Sequence, residues 1–403
     1  MTGRFWVFYS DGTNMVYSTS TDGLNWAGPT IIRACSRGLL FGIWFDETYL
    51  HYAYSRGDVT NTPLYYRRGT PNADGSITWS AIEQTAIAGA LGIAYFYPVV
   101  TVDSNGYAWI AYTRWSATGL HPFVITSDNN DGTWSGAEAP YQLSTVSATL
   151  RFSSVIPLTG GEMLAIYAGR DLLVNARLWN GAIWGNEVST NSKVWYARRH
   201  SAVAEVNDVH LVFTSISNRL TYVKYHHSSN SFMDEKVLIE PDTSAPPVIC
   251  IAENNNLYVF WGSGPEANTL YYLIYTAEND TWGPAVKWKS EERLYANALT
   301  CFYKQYSGYI GVLYTAKPTG PYEVKFNYIA PPPPPGSSPA PGEPGSPGAP
   351  EPTPEPEVDS SILTTSGSRH TTPEEGQIGT SQSFSSTRIT RHITWVPVTI
   401  TRV

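Results

Sequence analysis

A short turn rich in Asp, Asn and Gly, followed by a large aromatic residue, recurs along this chain every 48 to 55 residues. The copies are Asp22-Gly23 before Trp26, Asp74-Gly75 before Trp79, Asp131-Gly132 before Trp134, Asn180-Gly181 before Trp184, Asn230 before Phe232 and Asn279-Asp280 before Trp282. A fixed period of this length marks an array of supersecondary units. About one hairpin before each turn lies an apolar, aromatic-rich strand of alternating character, at 5–9, 49–54, 108–112, 163–167, 210–213 and 257–261, with a seventh at 309–314. From the second unit on, a shorter strand and a polar turn come first, as in 99–102 with Asp103-Ser104-Asn105-Gly106, or 248–252 with Asn254-Asn255-Asn256. Asx and Gly suit such hairpins because they tolerate positive φ. An outer strand such as 81–87 or 236–239 closes each unit. Four antiparallel strands cannot cover both faces of their own sheet, and radial packing of the units does so. The expectation is an all-β, seven-bladed β-propeller over residues 1–330, with six blades as the alternative if the last unit shares a blade with the first.

Composition supports this and excludes other classes. Aromatic residues make up 13% of the 403 and charged residues 15%, with 27 Tyr and 14 Trp, a balance that favours half-buried sheet over helix. The net charge of -8 carries no basic stripe, so nucleic acid and anionic lipid are not expected partners. No apolar window of about 18 residues exists, so no membrane insertion by a helix is expected. Met1-Thr2-Gly3 runs directly into the strand-like 4–9 without the regions of a signal peptide. Cys35, Cys250 and Cys301 match no zinc or redox spacing. Whether Cys250 and Cys301, at comparable positions in successive inner strands, are bridged stays open. No metal and no cofactor is expected.

Two of the turns carry more information. Ser20-Thr21-Asp22-Gly23-Leu24-Asn25-Trp26 and 127–134, which ends Asp131-Gly132-Thr133-Trp134, resemble the Asp-box, or BNR, repeat of sialidase-like propellers. The resemblance spans about 330 residues as a repeat pattern, with the other copies degenerate. It implies a propeller fold with the boxes in structural hairpins away from an active centre. A sialidase-like enzyme would also place three arginines, a Tyr/Glu pair and an Asp around the central well. Arg151 is the one comparable arginine at the head of an inner strand, Arg199 and Arg293 are further candidates to face the centre, and no coherent triad follows from them.

The array is incomplete where its ends meet. The first unit starts with its aromatic strand and has no inner strand, and the last supplies 298–303, 309–314 and 323–328 and stops before an outer strand. Open edges expose unpaired amides and carbonyls. The acceptor seam is therefore expected at Phe5, Val7, Tyr9, Val324, Phe326 and Tyr328. Beyond it, 331–357 is a proline-rich linker whose polyproline II reach, at about 3.1 Å per residue, is on the order of 80 Å. Residues 358–387 form a Ser/Thr-rich stalk, and 388–403 read as a strand in need of a sheet, through Ile389, Ile393, Trp395, Val396, Val398, Ile400 and Val403. Its apolar face changes side near Pro397, which calls for a bulge or bend. Strand addition to another copy would string propellers head to tail, while folding back would close the chain's own ring.

The remaining polar candidates read as structural. Asp46-Glu47, Asp103, Glu205, Asp208 and Glu253 fall at turns between the first two strands of a unit, as turn formers and solvated charges rather than the carboxylate pair a glycosidase needs. His226-His227 lacks carboxylates at ligand spacing. His51, His200 and His210 are packing or surface residues. Tyr65-Tyr66, Tyr95-Phe96-Tyr97, Trp195-Tyr196 and Tyr271-Tyr272 are core rings or, in the alternative, sugar-stacking platforms. Asn279-Asp280-Thr281 is an N-glycosylation sequon, and Ser337, Ser338, Ser346 and Thr353 beside prolines are O-glycosylation candidates. The reading is a non-catalytic structural subunit of an extracellular or cell-surface filament whose partners are its own copies. A glycan-binding adhesin or lectin is the alternative, and a sialidase-like glycoside hydrolase comes third.

Overall fold

The computed structural model describes residues 3–332, apart from 58, 81, 149–151, 170, 195–199, 241–245, 263–267, 292–293 and 317–322, together with 387–388 and 399–402. The described strands form seven antiparallel sheets, so the chain is a seven-bladed β-propeller in which the first and last units do not share a blade.

Blade 5 displays the repeat in its simplest form. An inner strand His200–Glu205 turns into a second strand Asp208–Thr214, a third Leu220–His226 and an outer Ser231–Ile239. Blade 3 (Ala94–Val102, Ala108–Ser116, Gly119–Thr126, Tyr141–Gln142) and blade 4 (Ser153–Pro157, Met163–Ala168, Leu173–Trp179, Val188–Lys193) follow the same order. Blade 2 (Phe41–Phe45, Leu50–Tyr54, Leu64–Pro71) and blade 6 (Val248–Ile251, Leu257–Gly262, Thr269–Thr276) split the outer position between two short strands that both pair with the third. Asn255 and Gly106 take positive φ at turns between inner and second strands, as their residue types predict.

The second strands differ from the alternation read in the sequence. Leu50–Tyr54, Met163–Ala168, Leu257–Gly262 and Ile310–Ala316 are buried at every position, because a neighbouring blade covers each face. The core is accordingly a belt of clusters between blades. One joins blade 1 to blade 2 through Trp6, Phe8, Leu50 and Tyr52, and another joins blade 4 to blade 5 through Ile166, Val174, Leu211 and Phe213.

The periodic aromatic has a defined place in this belt. Trp134 of blade 3 packs on Tyr66 of blade 2 (ring centroids 5.6 Å), Trp184 of blade 4 on Trp109 of blade 3 (6.0 Å), and Trp282 of blade 6 on Tyr222 of blade 5 (5.0 Å). Each of these three tips therefore seals its blade against the preceding one. The tip is built by its Asp and Gly: Asp22 Oδ1 accepts the amides of Leu24 and Asn25 at 2.7 and 2.8 Å, the Gly23 amide donates to Ser20 Oγ, and Trp26 Nε1 donates to the Gly23 carbonyl. Those donated bonds hold the Asp22 carboxyl well below the usual carboxylate range.

Candidate functional site

The distinctive site is the seam between blades 1 and 7. Blade 1 contributes Phe5–Ser10, Asn14–Ser20 and Thr30–Ala34 from its own sequence, and its innermost strand is Thr399–Arg402. The register is antiparallel, with Phe5 opposite Arg402, Trp6 opposite Thr401, Val7 opposite Ile400 and Phe8 opposite Thr399. Blade 7 contributes Leu294–Cys301, Ile310–Ala316 and Glu323–Ile329, and its outer strand is Thr387–Arg388, paired with Val324 and Glu323. The seam thus has the two openings read from the sequence, the inner position of blade 1 and the outer position of blade 7. The same tail fills both, and in the isolated chain the blades it completes are its own.

The expected seam residues are brought together, by side chains as much as by backbone. Phe5, Val7, Tyr9, Val324 and Phe326 share one buried cluster, with Tyr328 packed against it. Phe5 lies 5.3 Å from Phe326 and stacks on Tyr328 at 6.2 Å, and Trp26 meets Phe326 edge-on at 5.3 Å. Aromatic pairs of this kind contribute about 0.5–1.5 kcal/mol each beyond the area they bury. The apolar contact between blades 1 and 7 is therefore independent of the tail, which adds backbone pairing at the edge. Of the tail residues named from the sequence, Ile400 lies in the paired strand. Ile389, Ile393, Trp395, Val396, Val398 and Val403 lie outside the described residues, as do Ser337, Ser338, Ser346 and Thr353. Asn279 sits in an exposed turn between the third and outer strands of blade 6.

The turn carboxylates do more than form turns, which corrects the expectation. In blade 2, Asp46 accepts the Thr48 and Tyr49 amides and bonds His51 Nε2 at 2.9 Å, while His51 Nδ1 meets the Tyr66 hydroxyl at 2.7 Å. Blade 5 repeats the arrangement: Glu205 to His210 Nε2 at 3.1 Å, and His210 Nδ1 to Tyr222 Oη at 2.7 Å. The carboxylate–histidine–tyrosine relay crosses three strands of one blade and satisfies an imidazole at the centre of the sheet. The hydrogen bond from His210 outweighs burial and holds Glu205 at about 2. Burial pushes His51 down, against the pull of Asp46. In single-sequence reading the members are separated by up to twenty residues, and only the recurrence of a carboxylate five residues before a histidine in two blades signals the relay.

His226 and His227 do have carboxylate neighbours, drawn from other strands: Asp234 at 2.9 Å from His226, and Glu162 of blade 4 at 2.7 Å from His227. No group of three or more metal-binding side chains occurs among the described residues. Asp103 accepts the indole N–H of Trp109 at 2.9 Å, and the Glu253 amide donates to Gln305 of blade 7. Cys35, Cys250 and Cys301 are free thiols, each pushed up by burial.

Tyrosine and glutamate also meet. Tyr52 donates to Glu83 at 2.7 Å, Tyr167 to Glu187 at 2.6 Å and Tyr314 to Glu291 at 2.6 Å, each phenol lying on a buried second strand. Burial first, and then the carboxylate, push all three phenols above their ordinary value. Arg151, Arg199 and Arg293 lie outside the described residues.

A ring of seven antiparallel blades defines a class, the β-propeller. No family model matches the chain, and no curated protein matches its sequence. The BP39L lectin from Burkholderia pseudomallei superimposes with a TM-score of 0.56 at 10% identity, covering 82% of this chain and 92% of the lectin. A sialidase from Trypanosoma rangeli, solved with the inhibitor DANA, gives 0.48 at 10% identity, covering 74% of this chain and 56% of the sialidase. A protein of unknown function from Dyadobacter fermentans gives 0.46 at 13% identity, covering 72% and 95%. At 10% identity the likeness to the BP39L lectin is one of fold.

Proposed function

We propose that this chain is a structural propeller of the cell exterior that links to its own copies by exchanging the C-terminal strand. The observation that carries the reading is that the innermost strand of blade 1 comes from residues 399–402, at the far end of a proline-rich and Ser/Thr-rich segment, and not from the sequence around the blade. Closing the ring directly from Ile329 would require only a short return. The intervening residues instead give the strand a reach that another propeller can use. Strand addition supplies a backbone ladder at an edge that is otherwise open, and a head-to-tail contact that does not close generates a filament.

A tethered strand faces its own slot at an effective concentration in the millimolar range. Self-closure therefore dominates in dilute solution, and linkage dominates where copies are crowded, as on a surface. Sedimentation velocity from about micromolar to about millimolar protein tests this: the full chain gives a growing series of oligomers, whereas the chain carrying Ile400→Pro gives none. A full chain that stays monomeric throughout removes the filament reading.

A second reading, carbohydrate binding, is favoured by exposed rings on blade 3. Tyr141 is 41% exposed and stacks on Trp184 at 5.4 Å, and Trp115 at a hairpin end is 40% exposed. Flat ring faces left partly open to water suit the apolar faces of sugars. A glycan array probed with the full chain and with Tyr141→Ala separates the readings, because linkage does not need that ring.

A further inference from the structure

The end of the ring at which inner strands turn into second strands holds a feature that the repeat does not supply. After its inner strand, blade 7 does not turn at once. Residues 302–309 form a longer excursion, and Tyr303 leaves its own blade. Its ring lies 4.9 Å from that of Trp44 on the inner strand of blade 2, and its hydroxyl accepts the amide of Ala204 on the inner strand of blade 5 at 3.0 Å. One side chain reaches both blades only by crossing the axis of the ring. Lys304 beside it forms an ion pair with Glu47 in the first turn of blade 2 and bridges in parallel with Ile251 of blade 6. The Gln305 amide donates to the Ile251 carbonyl at 2.8 Å.

This excursion spans blade 1. Blades 7 and 2 flank the position taken by Thr399–Arg402, and Trp44–Tyr303 and Glu47–Lys304 tie them to each other without using the tail. The rest of blade 1 is held independently as well. Phe5, Val7 and Tyr9 are packed on blade 7 and Trp6 and Phe8 on blade 2, Arg4 Nε donates to the Ala73 carbonyl at 2.6 Å, and Arg33 pairs with Glu83. Removing the tail strand therefore takes away one ladder and leaves the walls of its slot in place.

We infer that the inner position of blade 1 is a preformed acceptor groove, kept open by the Tyr303–Lys304 clasp, and that its occupant is the C-terminal strand of a second copy. The choice of partner rests on the strand-exchange reading, and the groove itself does not. Its floor is the edge of Phe5–Phe8 on which Thr399–Arg402 pairs, and its sides are the inner strands of blades 7 and 2. The register Phe5–Arg402 to Phe8–Thr399 defines which residues it takes. An edge whose geometry is already set loses little conformational freedom on accepting a strand, which is what permits exchange without unfolding.

The test begins with the full chain, folded, carrying a protease site after Glu357. After cleavage, a fluorescein-labelled peptide of residues 388–403 is added and its anisotropy followed. The expected result is uptake saturating at one peptide per propeller, with single-step cooperative unfolding before and after, and no uptake of the same peptide carrying Ile400→Pro. Tyr303→Phe keeps the ring on Trp44 but removes the oxygen that accepts the Ala204 amide, and weakens uptake about threefold to tenfold. Loss of cooperative unfolding once the tail is displaced, absence of uptake, or uptake unchanged by Tyr303→Phe overturns the inference. Uptake by the cut propeller alongside a strictly monomeric intact chain leaves the groove standing and removes the filament. Oligomers of the intact chain with no uptake do the reverse.

Discussion

Blades 5 and 1 are the same sheet made in two ways. Blade 5 folds from 200–239, each strand paired with the next in sequence, and its inner ladder runs over six residue pairs from His200–Phe213 to Glu205–Asp208. Blade 1 takes its inner strand from the far end of the chain, and its inner ladder covers four pairs, so Tyr9 and Ser10 extend beyond it. Their second strands are nevertheless equally buried, because cover comes from the adjacent blades and not from the strand's own ladder. Burial in a propeller is a property of the ring, while edge pairing is a property of the individual blade. The two can be perturbed separately.

The largest effects should fall on ring burial. Phe213→Ala in blade 5 and Phe8→Ala in blade 1 each empty a fully buried site, and each should cost about 3–5 kcal/mol in chemical denaturation. A much smaller loss for Phe8→Ala breaks the comparison, since blade 1 would then be loosely integrated. Next comes edge pairing alone: Ile400→Pro should lower the hydrogen-exchange protection of amides in 5–8 about tenfold to hundredfold while those in 208–214 hold. Smaller still is the relay found within contiguous blades. Tyr222→Phe and Tyr66→Phe each strand a buried imidazole nitrogen, at about 1–3 kcal/mol by thermal or chemical unfolding.

The smallest expected effect is on acid stability. Glu205 has its folded value lowered from 4.5 to about 2, so its contribution is complete above pH 4.5 and is lost as pH falls toward 2. Melting temperatures of Glu205→Gln and the parent chain should therefore converge over that window. A gap that persists at pH 2 assigns the effect to packing rather than to charge.

Much of the ring was legible because its determinants are local. Asp22, Gly23 and Trp26 specify a tip whatever surrounds it, and the period of those tips reports the blade. The two open positions at the seam were legible as missing strands for the same reason. What sequence could not supply was anything set by neighbours: that the tip aromatics pack on the preceding blade, that second strands are covered on both faces, that His227 finds Glu162 from blade 4. The Tyr303 clasp was invisible because 298–303 reads as an ordinary inner strand, and its partners Trp44 and Ala204 lie two blades and five blades along from it in the ring. The tail's two contributions, to blade 7 and to blade 1, depend on which edges lie free in space.

The orientation of the tip tryptophans also imposes an order of events. Trp134, Trp184 and Trp282 each cap a blade made before their own, so a growing chain can seal those blades onto the last. Trp26 is the exception, for its platform, Phe326, is made some 300 residues later. The blade that emerges first is thus the last to be finished, and it carries an unsealed flank and an unfilled edge through most of biosynthesis. Its flank closes only once blade 7 has been made, and its inner edge only once residues 399–402 have followed.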